Sequence, residues 1–594
     1  VLTRTPPNKK GLRPRQKTML QNTPALRAKI DQLWDKFWSG GIANPLTAIE
    51  QITYLLFMKR IDELDAKRQA DAQWSGQPYR SRFSGQWIPP EERHLPAAQQ
   101  RPVPKQSLRW SEFKRMPAEA MLQHLSSRVF PFLKDLGDDD SHFAQHMRNA
   151  VFTIPKPSLL VEAVKTVDDI FALIETEARD KGQLFQDIQG DVYEYLLSEI
   201  ATSGKNGQFR TPRHIIKLML ELAAPEFGHR IADPACGTGG FLLGAYHYLI
   251  TQLARRSGTP LPAADEDGFV RSGLAAALTA ERQQILQDSL YGYDIDTTMV
   301  RLGLMNLMMH GLDSPHIDYR DTLSNAFSEE AAYHCVLANP PFKGSLDKAD
   351  INDALQLPTT KTELLFVETI CRMLRRGGTA CVIVPQGVLF ATGHAFRQLR
   401  RDLIERCELK AVITLPSGVF KPYAGVSTAI LLFTKVYSTT DKVPKPATEH
   451  VWFYEVTSDG YSLDDKRSKL PHCGDLQDVV EKFRTRTTKP ETTTTDASDT
   501  NEAKTRAGEN ETIPLPNTGK SFSVPRTEIE AQNYDLSPAR YKQQPHEEQT
   551  YPPPTEILEN LINAEIGDVS PEKLADLKPS GILKELIEFK EMLG

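Results

Sequence analysis

The stretch ADPACGTGGFLLGAY, Ala232 to Tyr246, changes character twice. A short apolar run ends on Asp233, Gly237, Gly239 and Gly240 follow, and from Phe241 the apolar residues take up helical spacing. This reads as strand, glycine loop and helix, in which the missing side chains let the backbone approach a ligand closely. A nucleotide-like ligand held against backbone amides suits it. The spacing is neither GxGxxG nor GxxxxGK[ST], since no Lys follows the glycines, so phosphate binding is the weaker reading. Taken alone, a plain glycine turn in an α/β protein remains the alternative.

The surrounding sequence sets this unit in a larger pattern. HRIADPA, SLYGYDI, HCVLANPP, GTACVIVP, LKAVITLP and STAILLFTK look like buried strands, and helical stretches such as TELLFVETICRMLRR lie between several of them. Alternation of this kind predicts an open, mostly parallel, doubly wound α/β sheet covered on both faces, with ligands beyond the carboxyl ends of its strands. Before it, from Pro24, the apolar residues keep helical spacing: Leu26, Ile30, Leu33, Trp34 and Phe37, then LTAIEQITYLLFMKRIDEL with Lys59 and Arg60 at its polar edge. A Pro- and Gln-rich loop region interrupts these helices between Gln73 and Lys105. Near the other end, Thr485 to Thr512 is threonine-rich with almost no apolar residues, too little to offset chain entropy, and reads as a disordered insertion. Helical periodicity returns from Thr555 to Leu593.

A chain of 594 residues predicts two or three domains, and 40% hydrophobic with 25% charged residues is ordinary for a soluble globular protein. No apolar run reaches the roughly 18 to 20 residues that cross a bilayer, and the first residues lack the apolar core of a signal peptide, so a cytoplasmic protein with no membrane partner is expected. The six cysteines, none in a CxxC pair, argue against a disulfide framework and a structural zinc site, and no metal is expected. The net charge of −6 gives no global case for nucleic-acid binding. Arg4, Lys9, Lys10, Arg13, Arg15 and Lys17 form an acid-free tail that could lie along phosphates, but a solvated flexible terminus is the simpler reading.

Three further motifs fall at strand ends. In LYGYDID, Asp294 closes an apolar run, where an acidic side chain can accept both hydroxyls of a ribose. In YRDTL, Asp321 lies one strand further along, placed to accept from the exocyclic amine of an adenine. In CVLANPPFKG the strand stops at Asn339, because Pro340 and Pro341 have no N–H for a ladder. The Asn339 amide oxygen and the Pro340 carbonyl are acceptors whose direction the prolines fix. Two such acceptors gripping an –NH2 conjugated into a base would draw its lone pair out of the ring plane toward an electrophile, while Phe342 stacks on the base.

DPACGTGG with NPPF downstream resembles the gamma-class, adenine-N6 DNA methyltransferases that use S-adenosylmethionine. DIQGDVYEYLLSEIATSGKNGQFRTPRHIIKLML before it, and FYEVTSDGYSLDDKR and YDLSPARYK after it, resemble more specifically the modification (HsdM-type) subunit of type I restriction-modification systems. The resemblance implies a Rossmann-like methyltransferase sheet with an all-helical N-terminal domain and C-terminal helices. It divides the chain into a basic flexible tail (1–23), a helical domain (24–175), a methyltransferase domain (176–480), the insertion (485–512) and a C-terminal segment (513–594) with helices for subunit docking. It implies a cofactor site of Gln208, Phe209, Arg210, Thr211, Pro212, Arg213, Asp233, Gly237, Thr238, Gly239, Gly240, Asp294 and Asp321, and a catalytic turn of Asn339, Pro340, Pro341 and Phe342. The partners it implies are double-stranded DNA with the target adenine flipped out, a separate specificity subunit and a translocating restriction subunit, with two copies of this chain in the complex. The same turn also occurs in methyltransferases acting on RNA or on protein glutamine, and a catalytically silent scaffold of a defence complex is the remaining alternative.

Overall fold

The structure, a computed structural model, describes residues 24–42, 44–76, 78–136, 141–181, 193, 211–265, 267–270, 278–422, 424–438, 440–472, 474–486, 519–542, 554–566 and 582–593. The N-terminal part is built on helices α1 (Pro24–Ser39), α2 (Pro45–Ser75) and α3 (Pro157–Lys181), with shorter helices between α2 and α3. Asn44 starts α2 by accepting from Leu46 N at 2.9 Å and Thr47 N at 3.4 Å, donors the first turn cannot use, and Gly76 ends it at φ +70°. The periodic residues Leu26, Ile30, Leu33 and Phe37 of α1 are buried, and α1 packs on α3. One expectation fails here: Arg60 is buried, not at a polar edge, because α2 is covered on several sides by its neighbours.

Among the described residues nine strands form one sheet: β1 (Ile231–Asp233), β2 (Leu290–Asp294), β3 (His316–Tyr319), β4 (Tyr333–Ala338), β5 (Leu374–Pro385), β6 (Cys407–Leu415), β7 (Thr428–Lys435), β8 (His450–Glu455) and β9 (Ser521–Pro525). Their order across the sheet is β9-β8-β6-β7-β5-β4-β1-β2-β3. The pairs from β3 through β5 are parallel, as is β6 with β8, while β7 runs antiparallel between β5 and β6 and β9 forms an antiparallel edge. The order reverses between β1 and β4, which are neighbours although β2 and β3 lie between them in sequence. This is a topological switch point, where a crevice opens beyond the strand ends.

Alternation along the strands assigns the two faces. Ile231, Cys335, Leu337, Cys381, Ile383, Ile413 and Ile430 enter one core, with residues of helices α4 (Arg213–Ala223), α5 (Gly240–Arg256) and α6 (Thr297–Met309). Ala232, Val336, Ala338, Val382, Val412 and Leu431 point the other way, into a core with helices α7 (Thr362–Met373) and α8 (His394–Glu405). Helix α6 is apolar almost all round because it lies between the sheet and α2. Residues 543–594 form a separate unit in which α10 (Pro554–Ile566) packs on α11 (Ile582–Leu593), α9 (Leu476–Thr485) being the helix that precedes β9 in the first unit. Among the described residues no helix is long and apolar enough to cross a membrane.

Candidate active site

The glycine loop between β1 and α5 turns through two left-handed residues, Gly237 at φ +52° and Gly239 at φ +78°, a conformation other residues adopt only under strain. Among the described residues nothing lies within 4 Å of where a Cβ on Gly237 would stand. Neighbouring elements hold the loop in place. Asp294, at the end of β2, accepts from Gly237 N at 2.8 Å through Oδ2 and from Asp296 N at 2.8 Å through Oδ1, leaving further lone pairs on both oxygens. Asn306 on α6 donates through Nδ2 to the Thr238 carbonyl at 2.9 Å, and Thr322 Oγ1 donates to the Pro234 carbonyl at 3.1 Å. Asp321 spends one oxygen on Leu323 N at 3.0 Å.

Asp233, expected beside the cofactor, is buried at the end of β1. Its Oδ1 accepts from Ala235 N at 3.1 Å. Burial pushes its carboxyl up to about 8, against the opposing effect of the Ala235 N–H, and the nearby Asp294 charge adds to the rise. Burial likewise raises the Asp294 carboxyl, countered by the Asp296 and Gly237 N–H groups.

Across the switch point, β4 delivers Asn339. Its Nδ2 donates to Thr211 Oγ1 at 3.0 Å, whereas Oδ1 is buried and has no hydrogen-bond partner among the described residues. A buried amide oxygen without a donor is costly, and a ligand donor reaching Oδ1 would relieve that cost. Phe342, expected to stack on a base, is buried and meets Phe420 edge-on at 5.7 Å between ring centres and 80° between planes. The pairing of two apolar rings accounts for that orientation, and Pro341 is the exposed member of the turn.

Gln208, Phe209 and Arg210 lie outside the described residues. Thr211 and Pro212 lead into α4 beside Asn339, while Arg213 turns to the loop before residue 270, with its guanidinium over Phe269 and 3.9 Å from Asp267. Several contributors were not singled out from sequence. Asn306 is a buried amide in a largely apolar helix, and that mismatch is a readable signal. Ile295 and Tyr319 are 62% and 50% exposed at the ends of β2 and β3, apolar surface left open next to Asp294. Phe420 follows β6, and no local pattern connects it to Phe342. Among the described residues no group of His, Cys, Asp or Glu is arranged to hold a metal ion, and the five described cysteines are free.

The sheet order with its single inserted antiparallel strand, the glycine loop after β1 and the Asn-Pro-Pro turn after β4 define a class I methyltransferase. The chain belongs to the N-6 DNA methylase family, whose model matches residues 185–550, and the model of the HsdM N-terminal domain matches residues 26–167. The type I restriction enzyme EcoEI methylase subunit of Escherichia coli is 29% identical over 367 residues, 60% of this chain and 66% of the relative, just under two thirds of its length. The EcoKI methylase subunit of Escherichia coli strain K12 is 29% identical over 445 residues, 73% of this chain and 72% of the relative. In fold, the chain is similar to the type I restriction-modification system methyltransferase subunit from Streptococcus thermophilus, with a TM-score of 0.56 at 17% identity over 88% of this chain and all of that one.

Proposed function

We propose that this chain methylates the N6 amino group of adenine in DNA, using S-adenosylmethionine, as the modification subunit of a type I restriction-modification complex. The observation that carries the reading is Asn339 Oδ1: buried, without a partner among the described residues, and at the end of β4, across the switch point from β1 and the glycine loop. The residues present fit the cofactor. The open space at Gly237, the remaining lone pairs of Asp294 and the exposed apolar side chains of Ile295 and Tyr319 would hold a nucleoside, with Thr238, Gly239, Gly240 and Asp321 beside it. When bound, S-adenosylmethionine supplies an electrophilic methyl group on a sulfonium.

The chain's own part is to prepare the nucleophile. Oδ1 of Asn339 and the carbonyl of Pro340 accept the two hydrogens of the amine, pulling its lone pair out of conjugation, and the prolines keep both acceptors fixed. The adenine reaches this turn only after leaving the duplex. Among the described residues, β8, α9 and β9 all belong to the sheet or its flank, so a separate specificity subunit selects the sequence. Leu561, Phe589 and Met592, exposed on α10 and α11, make that unit the docking element for it, in a cytoplasmic complex that also takes a restriction subunit.

The test is Asn339→Ala in the complex assembled with its specificity subunit. Cofactor affinity by calorimetry should stay within about twofold while N6-methyladenine formation falls by about 100-fold or more, as when one stabilising contact to the reacting group is removed. Parallel assays offer RNA and protein acceptors. Wild-type rates in the variant, or transfer to those acceptors in place of DNA, would overturn the reading.

A further inference from the structure

The catalytic role given to Asn339 depends on which way its amide faces. A carboxamide turned over presents N–H in place of oxygen, and an N–H repels the hydrogens of an incoming amine. Oδ1 therefore has to face the substrate, and something must receive Nδ2 on the other side. That acceptor is Thr211 Oγ1 at 3.0 Å, itself largely buried. Thr211 stands on a fixed base. Pro212 and Arg213 carry it into the first turn of α4, and the next side chain, His214, is held from two directions. Its Nε2 lies 2.9 Å from Oδ2 of Asp459, whose side chain is fully buried, and its ring stacks on Tyr461 at 4.5 Å with 19° between planes. Arg467 pairs with the same Asp459 carboxylate. The loop from Ser458 to Lys469 thus braces the start of α4, and the start of α4 presents one hydroxyl to the catalytic amide.

On the reading that Asn339 activates the target amine, we propose that Thr211 is a positioning residue for methyl transfer. Its hydroxyl accepts from Asn339 Nδ2 and keeps Oδ1 turned toward the amine. The effect belongs to the turnover step, since the hydroxyl acts on the group that prepares the nucleophile. Valine keeps the shape of threonine and removes the acceptor, whereas serine keeps the acceptor and removes a methyl.

The experiment compares wild type, Thr211→Val, Thr211→Ser and Thr211→Ala in the assembled complex. The measurements are kcat and KM on duplex DNA, S-adenosylmethionine affinity by calorimetry, and Tm. Thr211→Val and Thr211→Ala should lower kcat by about tenfold or more, because a small misplacement of a reacting group is costly, with Tm held near wild type. Thr211→Ser should recover turnover to within about threefold of wild type, since the acceptor is restored. Wild-type kcat in Thr211→Val, a defect confined to cofactor affinity, or equal damage from serine and valine would each overturn the inference. A wild-type complex that methylates adenine beside a normal Thr211→Val overturns this inference alone, and a wild-type complex inactive on adenine overturns the functional reading together with it.

Discussion

Asp233 and Asp294 are two carboxyls at the ends of adjacent strands, and their surroundings give them different work. Asp294 spends both oxygens on backbone N–H groups, while Asp233 is buried, accepts from Ala235 N and has a carboxyl raised to about 8. The folded chain therefore keeps a proton on Asp233 at pH values where the unfolded chain, with an ordinary value near ~4, has lost it. A raised value adds stability at low pH and withdraws it as pH climbs, so Asp233 costs progressively more between about 4 and 8. Asparagine reproduces the acceptor for Ala235 N and carries no titrating proton. Asp233→Asn should gain Tm relative to wild type as pH is raised from about 5 to about 8, measured by calorimetry on both proteins. A Tm difference that does not change with pH would show that Asp233 is not the protonated group. The sequence placed this residue correctly at a strand end but could not show that its side chain is buried, because burial of a motif residue is decided by elements distant in the chain. The place of Asn339 at the end of β4 was legible for the opposite reason, since the prolines that stop the strand follow it directly.

Among elements, α6 carries the glycine loop from behind, and Gly303 sets the distance. A Cβ there would stand 2.9 Å from Ile317 Cδ1 and 3.1 Å from the Gly237 carbonyl oxygen. The side chain could shift, but the loop carbonyl is backbone, so Gly303→Ala should move the loop. We expect a loss of about 1–3 kcal/mol in denaturant unfolding from overpacking, together with weaker cofactor binding in calorimetry. An alanine variant with unchanged affinity would separate α6 from the loop. The strands show which elements a sequence reveals. β1, β2, β4, β5, β6 and β7 lie inside the sheet, covered on both faces, and each reads as an apolar run. β3 and β9 are its two edges, with half-exposed patterns, and their polar residues hide them. The antiparallel direction of β7 was not readable either, because a strand buried on both faces looks the same whichever way it runs.

At the scale of the whole first unit, the N-terminal helices are joined to the sheet through polar contacts of unequal depth. Glu50 on α2 is central: its Oε1 accepts from Arg301 on α6 at 2.8 Å from Nε and 2.6 Å from Nη2, and from Tyr54 at 2.7 Å. The Glu50 and Arg301 side chains are only 13% and 10% exposed. Asp313 meets Arg68 at 3.2 Å and Arg82 at 3.7 Å nearer the surface, and Asp318 on β3 takes His142 at 2.6 Å and His146 at 3.3 Å. Burial opposes ionisation of Asp318, but the two histidines outweigh it and hold the carboxyl well below the usual range. That contribution is present above the ordinary carboxylate value and is lost as pH falls through the depressed one, so the joint weakens on the acid side. Helix α6 presents Arg301 to the N-terminal helices, and Gly303 and Asn306 to the glycine loop. Removing Glu50 leaves a buried guanidinium without its carboxylate, a loss of about 3 kcal/mol, whereas removing the more exposed Asp313 costs less than about 1 kcal/mol. Denaturant unfolding of Glu50→Ala and Asp313→Ala should therefore separate by about 2 kcal/mol or more, since a buried partner is stranded in only one of them. Equal losses would mean that the joint is held by apolar packing, with the ion pairs incidental to it.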